Sequence, residues 1–206
     1  MRAIYVVQHA QSIHHVEKLV GGNYDTSLTP LGIQQAKKIG EYLADVIGPE
    51  KVEIISSDLR RAAETANIIA SYFNQGVTLD PGFREFGYGR AEGKPREWLE
   101  KHLVPRPADG NRLDHRVCEG SETRREIAYR VQGALERVLE KEVKNTVIVS
   151  HGFALTFIIM AWLKVPIENM DYCNFKADPG GITLLVEDDL FCNRGVQYVN
   201  RTEHLS

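Results

Sequence analysis

The sequence predicts an α/β protein, a single three-layer α/β/α domain over residues 1–206 with a mostly parallel central sheet. Three observations carry this expectation. Two runs, Ala3-Ile4-Tyr5-Val6-Val7 and Thr146-Val147-Ile148-Val149, are β-branched or aromatic and stop abruptly at polar residues, as buried strands do. Amphipathic helical stretches alternate with such runs along the chain. Each of the two runs is followed by a histidine, in Gln8-His9-Ala10 and in Ser150-His151-Gly152, and open α/β sheets bind ligands beyond the carboxyl ends of their strands. If the two strands are neighbours, both histidines converge on one site.

The first strand gives way to a polar, glycine-containing loop over residues 12–28, too long for a simple turn. Thr29-Pro30 then opens a helix, because threonine caps free N–H groups and proline loses nothing in the first turn. Ala36, Ile39, Leu43, Val46 and Ile47 recur at helical spacing until Gly48-Pro49 ends the segment. Residues 52–55 form a short strand ending at Ser56-Ser57, and Ser57 or Asp58 is expected to cap the next helix. That helix buries a stripe of Leu59, Ala62, Ala63, Ala66, Ile69, Ala70 and Phe73. Residues 77–79 read as another strand, followed by the turn Asp80-Pro81-Gly82. Residues 83–120 are rich in glycine, proline and charge, periodic only around Trp98 and Leu99, and are expected to form an excursion. Ser121 starts a long helix with Ile127, Val131, Ala134, Leu135, Val138 and Leu139 on one face. After the second histidine strand comes an apolar helix over 153–163. Strands at 182–186 and 196–199 close the sheet; they can pair as a hairpin, which makes the sheet mixed.

Composition narrows the function. Hydrophobic content of 43% and charged content of 26% are those of a globular domain able to bury a full core. The formal net charge of −3 provides no general attraction to nucleic acid or to an anionic membrane. Cys118, Cys173 and Cys192 form no C-x-x-C pair, which fits a reducing compartment such as the cytoplasm. The first strand begins almost at Met1, leaving no room for a signal peptide, and the apolar stretch 153–163 is short of the roughly 20 residues of a membrane span.

Four segments carry a resemblance: His9 after the first strand, Ser56-Ser57-Asp58-Leu59-Arg60-Arg61-Ala62-Ala63-Glu64-Thr65-Ala66, Glu85-Phe86-Gly87-Tyr88-Gly89-Arg90-Ala91-Glu92-Gly93, and Ser150-His151-Gly152. In this order they resemble the histidine phosphatase superfamily, which includes the cofactor-dependent phosphoglycerate mutases. The likeness implies the phosphoglycerate mutase-like fold and a phosphohistidine mechanism without metal or other cofactor. His9 would attack phosphorus; its neutral imidazole is nucleophilic near pH 7. Arg61, in the first turn of its helix, and His151 would stabilise the phosphoryl oxygens, with Arg60 as a solvated neighbour. Glu85 would protonate the leaving group. Glu92, the other carboxylate of its motif, is better read as fixing the loop.

The first motif departs from the family pattern. The usual R-H-G-[EQ]-[ST] reads Gln8-His9-Ala10-Gln11-Ser12, and the asparagine usual a few residues later is replaced by His15, with His14 beside it. Glutamine keeps amide donors but loses arginine's charge and fork. Either activity is weak or lost, or another cation compensates. Protonated His14 or His15 is a candidate for that cation, with solvated loop histidines as the alternative. Gly22 is a candidate for presenting a backbone N–H to phosphate. A metal held by His9, His14, His15 and His151 is disfavoured, because no H-x-x-x-H or Cys/His ligand spacing supports it.

Lys94, Arg96, Lys101, Arg106, Arg112 and Arg116 give the excursion a basic character that hints at an anionic substrate, and interleaved Glu97, Glu100, Asp109 and Asp114 weaken the hint. The expected function is a phosphatase on small phosphate monoesters. A catalytically weak or inactive phosphoryl-binding module is the alternative, and a phosphoglycerate-type mutase a third. The expected partner is a small phosphorylated substrate, with no nucleic acid and no membrane; an apolar strand edge near Val196 to Val199 could support a homodimer.

Overall fold

The computed structural model describes residues 1–107 and 112–206; Asp109, one of the acidic residues of the excursion, lies outside them. Six strands form one sheet: β1 (Arg2–Gln8), β2 (Val52–Ser56), β3 (Val77–Leu79), β4 (Asn145–Ser150), β5 (Ile182–Glu187) and β6 (Arg194–Arg201). Their order is β3-β2-β4-β1-β5-β6. The first four run parallel, while β5 and β6 are antiparallel to their neighbours. The sheet is therefore mixed but largely parallel. β6 has a partner on one side only, so the apolar edge around Val196 to Val199 belongs to the outermost strand.

The helices are α1 (Ile13–Val16), α2 (Pro30–Ile47), α3 (Arg60–Ser71), α4 (Arg96–His102), α5 (Arg124–Leu139) and α6 (Ala154–Trp162), of which α2 and α3 cover one face of the sheet and α5 and α6 the other. Strand side chains alternate between the two layers. Ile4, Val6, Ile55 and Ile148 pack with Ile127, Val131, Leu135, Phe157 and Trp162 of α5 and α6. Tyr5, Val7, Ile54, Val147 and Val149 pack on the other face with Ile39, Leu43, Ala62, Ala66 and Ile69 of α2 and α3. Among the described residues no helix is long and apolar enough to cross a membrane.

The ends of α2 follow the local code. Thr29 Oγ1 accepts the Gly32 N–H at 3.0 Å, Pro30 is the first helical residue, and Gly48 closes the helix at φ 67°. Two helix starts differ from expectation. Neither Ser57 nor Asp58 caps α3: Asp58 is bound bidentately by Arg84 at 2.7 and 2.6 Å, and Ser57 Oγ lies 2.8 Å from His151 Nε2. Asp25, from the long loop, accepts the Arg60 N–H at 2.7 Å instead. The long helix begins at Arg124 rather than Ser121, because Thr123 and Glu126 form a reciprocal capping box while Ser121 is buried and accepts the Cys118 N–H through Oγ.

Candidate active site

The register of β1 on β4 pairs Val7 with Val149 and Gln8 with Ser150, so His9 and His151 leave the sheet side by side. Their ring centroids are 5.0 Å apart, and both side chains are buried. The expectation that the two strands are neighbours is met, and it brings together histidines 142 positions apart in sequence.

His9 is held from both sides. Its Nδ1 lies 2.8 Å from the Ala10 carbonyl oxygen, which can only accept, so Nδ1 carries the proton. Arg61 Nε, which can only donate, lies 3.1 Å from Nε2, so Nε2 carries the lone pair. The two contacts independently assign the same tautomer. Arg61 is 1% exposed and spends its other contacts on the carbonyls of Tyr24 (2.9 Å, from Nη1) and Gly22 (2.7 Å, from Nη2). Among the described residues no carboxylate forms an ion pair with it; Glu85, Asp25 and Glu92 act on its buried charge from longer range. Arg60 is exposed and pairs with Glu64, the surface reading that the sequence favours.

His151 Nε2 meets Ser57 Oγ, which already accepts the Leu59 N–H at 3.3 Å. With the hydroxyl proton turned to Nε2, the imidazole proton sits on Nδ1, a buried atom without a partner among the described residues; this is the tautomer able to donate to a ligand. Glu85 is placed at the start of α6: Oε1 accepts the N–H groups of Phe86 (2.9 Å) and Ala154 (3.0 Å), and Oε2 accepts that of Phe153 (3.1 Å). Its backbone is pinned by Arg130, which donates to the carbonyls of Gly82, Arg84 and Glu85 and pairs with Glu122. Arg130 does not stand out in the sequence, because no local pattern marks it.

Gln8, His9, His15, Gly22, Arg61 and Glu85 all line one cavity of about 360 Å³, at whose back His151 lies against His9. Gly22, at φ +59°, uses its carbonyl to anchor Arg61, a role the sequence did not suggest. Glu92 accepts the N–H groups of Asn23 and Tyr88 and so ties two loops together, as the structural reading expects. A larger cavity, about 650 Å³, lies between α5 and the far end of α6 and contains none of the candidate residues.

His14 and His15 face inward, not to solvent: His14 Nδ1 lies 2.9 Å from Ser12 Oγ, and His15 Nδ1 accepts the Ser12 N–H at 3.2 Å. The idea that one of them is a standing cation fails in the free protein. Burial, then neighbouring His15 and Arg61, push His14 down to about 3; burial, then Arg61, push His15 down to about 4. His9 and His151 are lowered well below the usual range by burial first and Arg61 second. The other fixed cation on the cavity wall is Arg96 of α4, one of several basic residues in the excursion and indistinguishable from them in sequence.

Ring nitrogens of His9, His14 and His15 gather within 4.8 Å of one another, as a metal site would require. Arg61 places a fixed positive charge at the same point, 3.1 Å from His9 Nε2, which opposes a cation and favours an anion. A buried guanidinium, an imidazole lone pair and an orphan imidazole N–H suit a phosphoryl group.

Comparison with known proteins agrees with this geometry. The chain is 35% identical over 188 residues to a protein of Hydrogenobacter thermophilus bearing the name phosphoserine phosphatase 2, covering 89% of this chain and 88% of that one. It is 32% identical over 174 residues to a protein of Erwinia tasmaniensis bearing the name phosphoglycerate mutase GpmB, covering 81% and 77%. The fold matches the crystal structure of the α-ribazole phosphatase from Shigella flexneri with a TM-score of 0.78 at 24% identity, over 97% of this chain and 96% of that one. Residues 4–191 match the family model of the histidine phosphatase superfamily (branch 1), and the chain belongs to that superfamily.

Proposed function

We propose that the protein hydrolyses small phosphate monoesters through a phosphohistidine on His9. The observation that carries this reading is the fixed tautomer of His9, whose Nε2 lone pair lies at a cavity holding an unpaired buried arginine. Nε2 forms a bond to phosphorus while the bond from phosphorus to the leaving oxygen breaks in line. The leaving oxygen keeps the electron pair and takes a proton from Glu85. Water then displaces the imidazole, returning a proton to Glu85 and releasing inorganic phosphate. Arg61 and His151 Nδ1–H donate to the phosphoryl oxygens as charge builds. Gln8, His15 and Gly22 complete the binding wall, and the excursion over 83–120 acts as the lid, with α4 bringing Arg96, Leu99 and Glu100 to the cavity.

The relative bearing a phosphatase name and the phosphatase structure support hydrolysis, whereas the relative bearing a mutase name supports phosphoryl return to the substrate. Loss of the first-motif arginine to Gln8 favours the third reading, a binding module with little turnover. Phosphate release from a generic aryl phosphate by wild type, abolished in His9→Ala, is the expected result. Isomerisation of 3-phosphoglycerate without phosphate release would replace hydrolysis by the mutase reading. Tight phosphate binding with no turnover across a broad panel would leave the binding module.

A further inference from the structure

We propose that the phosphoryl group accepted here carries one proton: the substrate binds as the monoanion ROPO3H−, its P–OH donating to Gln8 Oε1. This rests on the phosphohistidine reading and names the ionisation class of its substrate.

Gln8 is 7% exposed and lines the cavity beside His9. Its Oε1 is fully buried and without a hydrogen-bond partner among the described residues. Gly152 also lines the cavity, and both amide atoms of Gln8 lie within 3.6 Å of where a Gly152 Cβ would sit, so the amide rests against the cavity wall. An arginine in its place could only donate; an amide also accepts. Turning the amide over exchanges carbonyl and NH2 but still leaves one acceptor there.

Other groups near the nucleophile are already engaged: His9 Nε2 accepts from Arg61 Nε, and His15 Nδ1 accepts from Ser12. Among the buried polar atoms without a partner in the described residues, Gln8 Oε1 is the one on a residue lining this cavity, and a P–OH can turn to it. Charge points the same way. On the described cavity wall Arg61 from α3 and Arg96 from α4 face Glu100 of α4 and Glu85, and Glu85 carries its proton when it serves as the acid. His9 from β1, His14 and His15 from α1, and His151 after β4 are held neutral by burial and by Arg61, and Tyr88 is pushed up to about 12 by burial. These groups leave one net positive charge, which neutralises one negative charge of the substrate; a second would be desolvated without a counterion.

Proton accounting closes. His9 Nε2 bonds to phosphorus, the leaving oxygen takes the proton of Glu85, and the P–OH proton stays on the phosphoryl group. Water restores the Glu85 proton and releases dihydrogen phosphate, so ROPO3H− and H2O become ROH and H2PO4−.

The test is 31P NMR of inorganic phosphate bound to the wild-type protein, through the pH range in which free phosphate loses its second proton. The bound resonance is expected to keep the monoanion position until about one pH unit above the free midpoint. In Gln8→Arg it should titrate at or below the free midpoint. A bound signal at the dianion position in wild type, or no bound phosphate at all, overturns the proposal even if the variant does not fold. In turnover, kcat/KM for two aryl phosphates of different acidity should fall about tenfold per pH unit above each substrate's own second ionisation. One common break for both substrates would also overturn it. Monoanion binding without any turnover would uphold the ionisation preference and remove the hydrolytic reading instead.

Discussion

Arg61 Nε donates to His9 Nε2 across 3.1 Å, so the buried guanidinium occupies the lone pair from which attack on phosphorus would start. The same contact selects the tautomer, and its charge adds to burial, the larger cause, in keeping the imidazole neutral. An incoming phosphoryl group would draw the guanidinium onto its oxygens and free the lone pair as it arrives.

Arg61→Met should therefore do two separable things. The fall in kcat/KM on an aryl phosphate is expected to be about 10²–10³-fold, the range for loss of one donor to a transition-state oxyanion. Removing the nearby charge should also raise the His9 pKa, read from its imidazole NMR signals. Arg61→Lys should not restore activity, because a single ammonium cannot reach His9, Tyr24 and Gly22 together. Full activity in either variant would refute the assignment.

Glu85→Gln tests the proton donor. For an alkyl phosphate, whose leaving oxygen is strongly basic, turnover should fall about 10²–10⁴-fold; for a nitrophenyl ester, which leaves without help, the loss should be small. An equal loss on both esters would point to a positioning role. Exchange of the carboxylate also weakens the acceptor for Phe86, Ala154 and Phe153, so stability should fall by about 1–2 kcal/mol.

The buried histidines tie stability to pH. His15 has a folded pKa of about 4 against an ordinary value of 6.5, so between these two values the unfolded chain binds more protons than the folded one. Acidification through this window must therefore erode stability, and His14 acts in the same direction down to about 3. In denaturant titrations His15→Gln should make the decline shallower by up to about 1.4 kcal/mol per pH unit. A slope unchanged from wild type would mean that His15 is not held neutral in the folded protein.

Gly22→Ala is expected to destabilise the protein and weaken substrate binding together. The residue sits at φ +59°, and a Cβ would come within 2.6 Å of Glu92 Oε1. Left-handed backbone costs a side-chain-bearing residue about 1–2 kcal/mol, which corresponds to a fall of about 2–8 °C in Tm at this chain length. Displacing Glu92 also loosens the loop whose carbonyls hold Arg61, so KM should rise. An unaltered Tm would contradict this account.

Much of the architecture is written locally. The β-branched runs ending at His9 and His151, the Thr29-Pro30 opening of α2 and the Gly48 stop each depend on residues within one or two turns of chain, and the structure agrees with them. Arg61 could be chosen over Arg60 through its place in the S-S-x-L-x-R-A motif of the resemblance, and the structure buries it while Arg60 is exposed. Other features were decided only by tertiary contact. Ser57 and Asp58 have the chemistry of helix caps, yet His151 and Arg84 engage them from elsewhere in the fold and Asp25 caps α3. In sequence His14 and His15 read either as a compensating cation or as solvated loop residues, but a one-turn helix folds them against His9, where burial disfavours their charge. The placement of Arg96 and Glu85 depends likewise on how α4 packs against Val20, Ala91 and Cys118 and on where α6 begins after β4. The physical reason is competition: each polar group has several chemically equivalent partners, local sequence ranks only the near ones, and packing of distant segments selects among the rest.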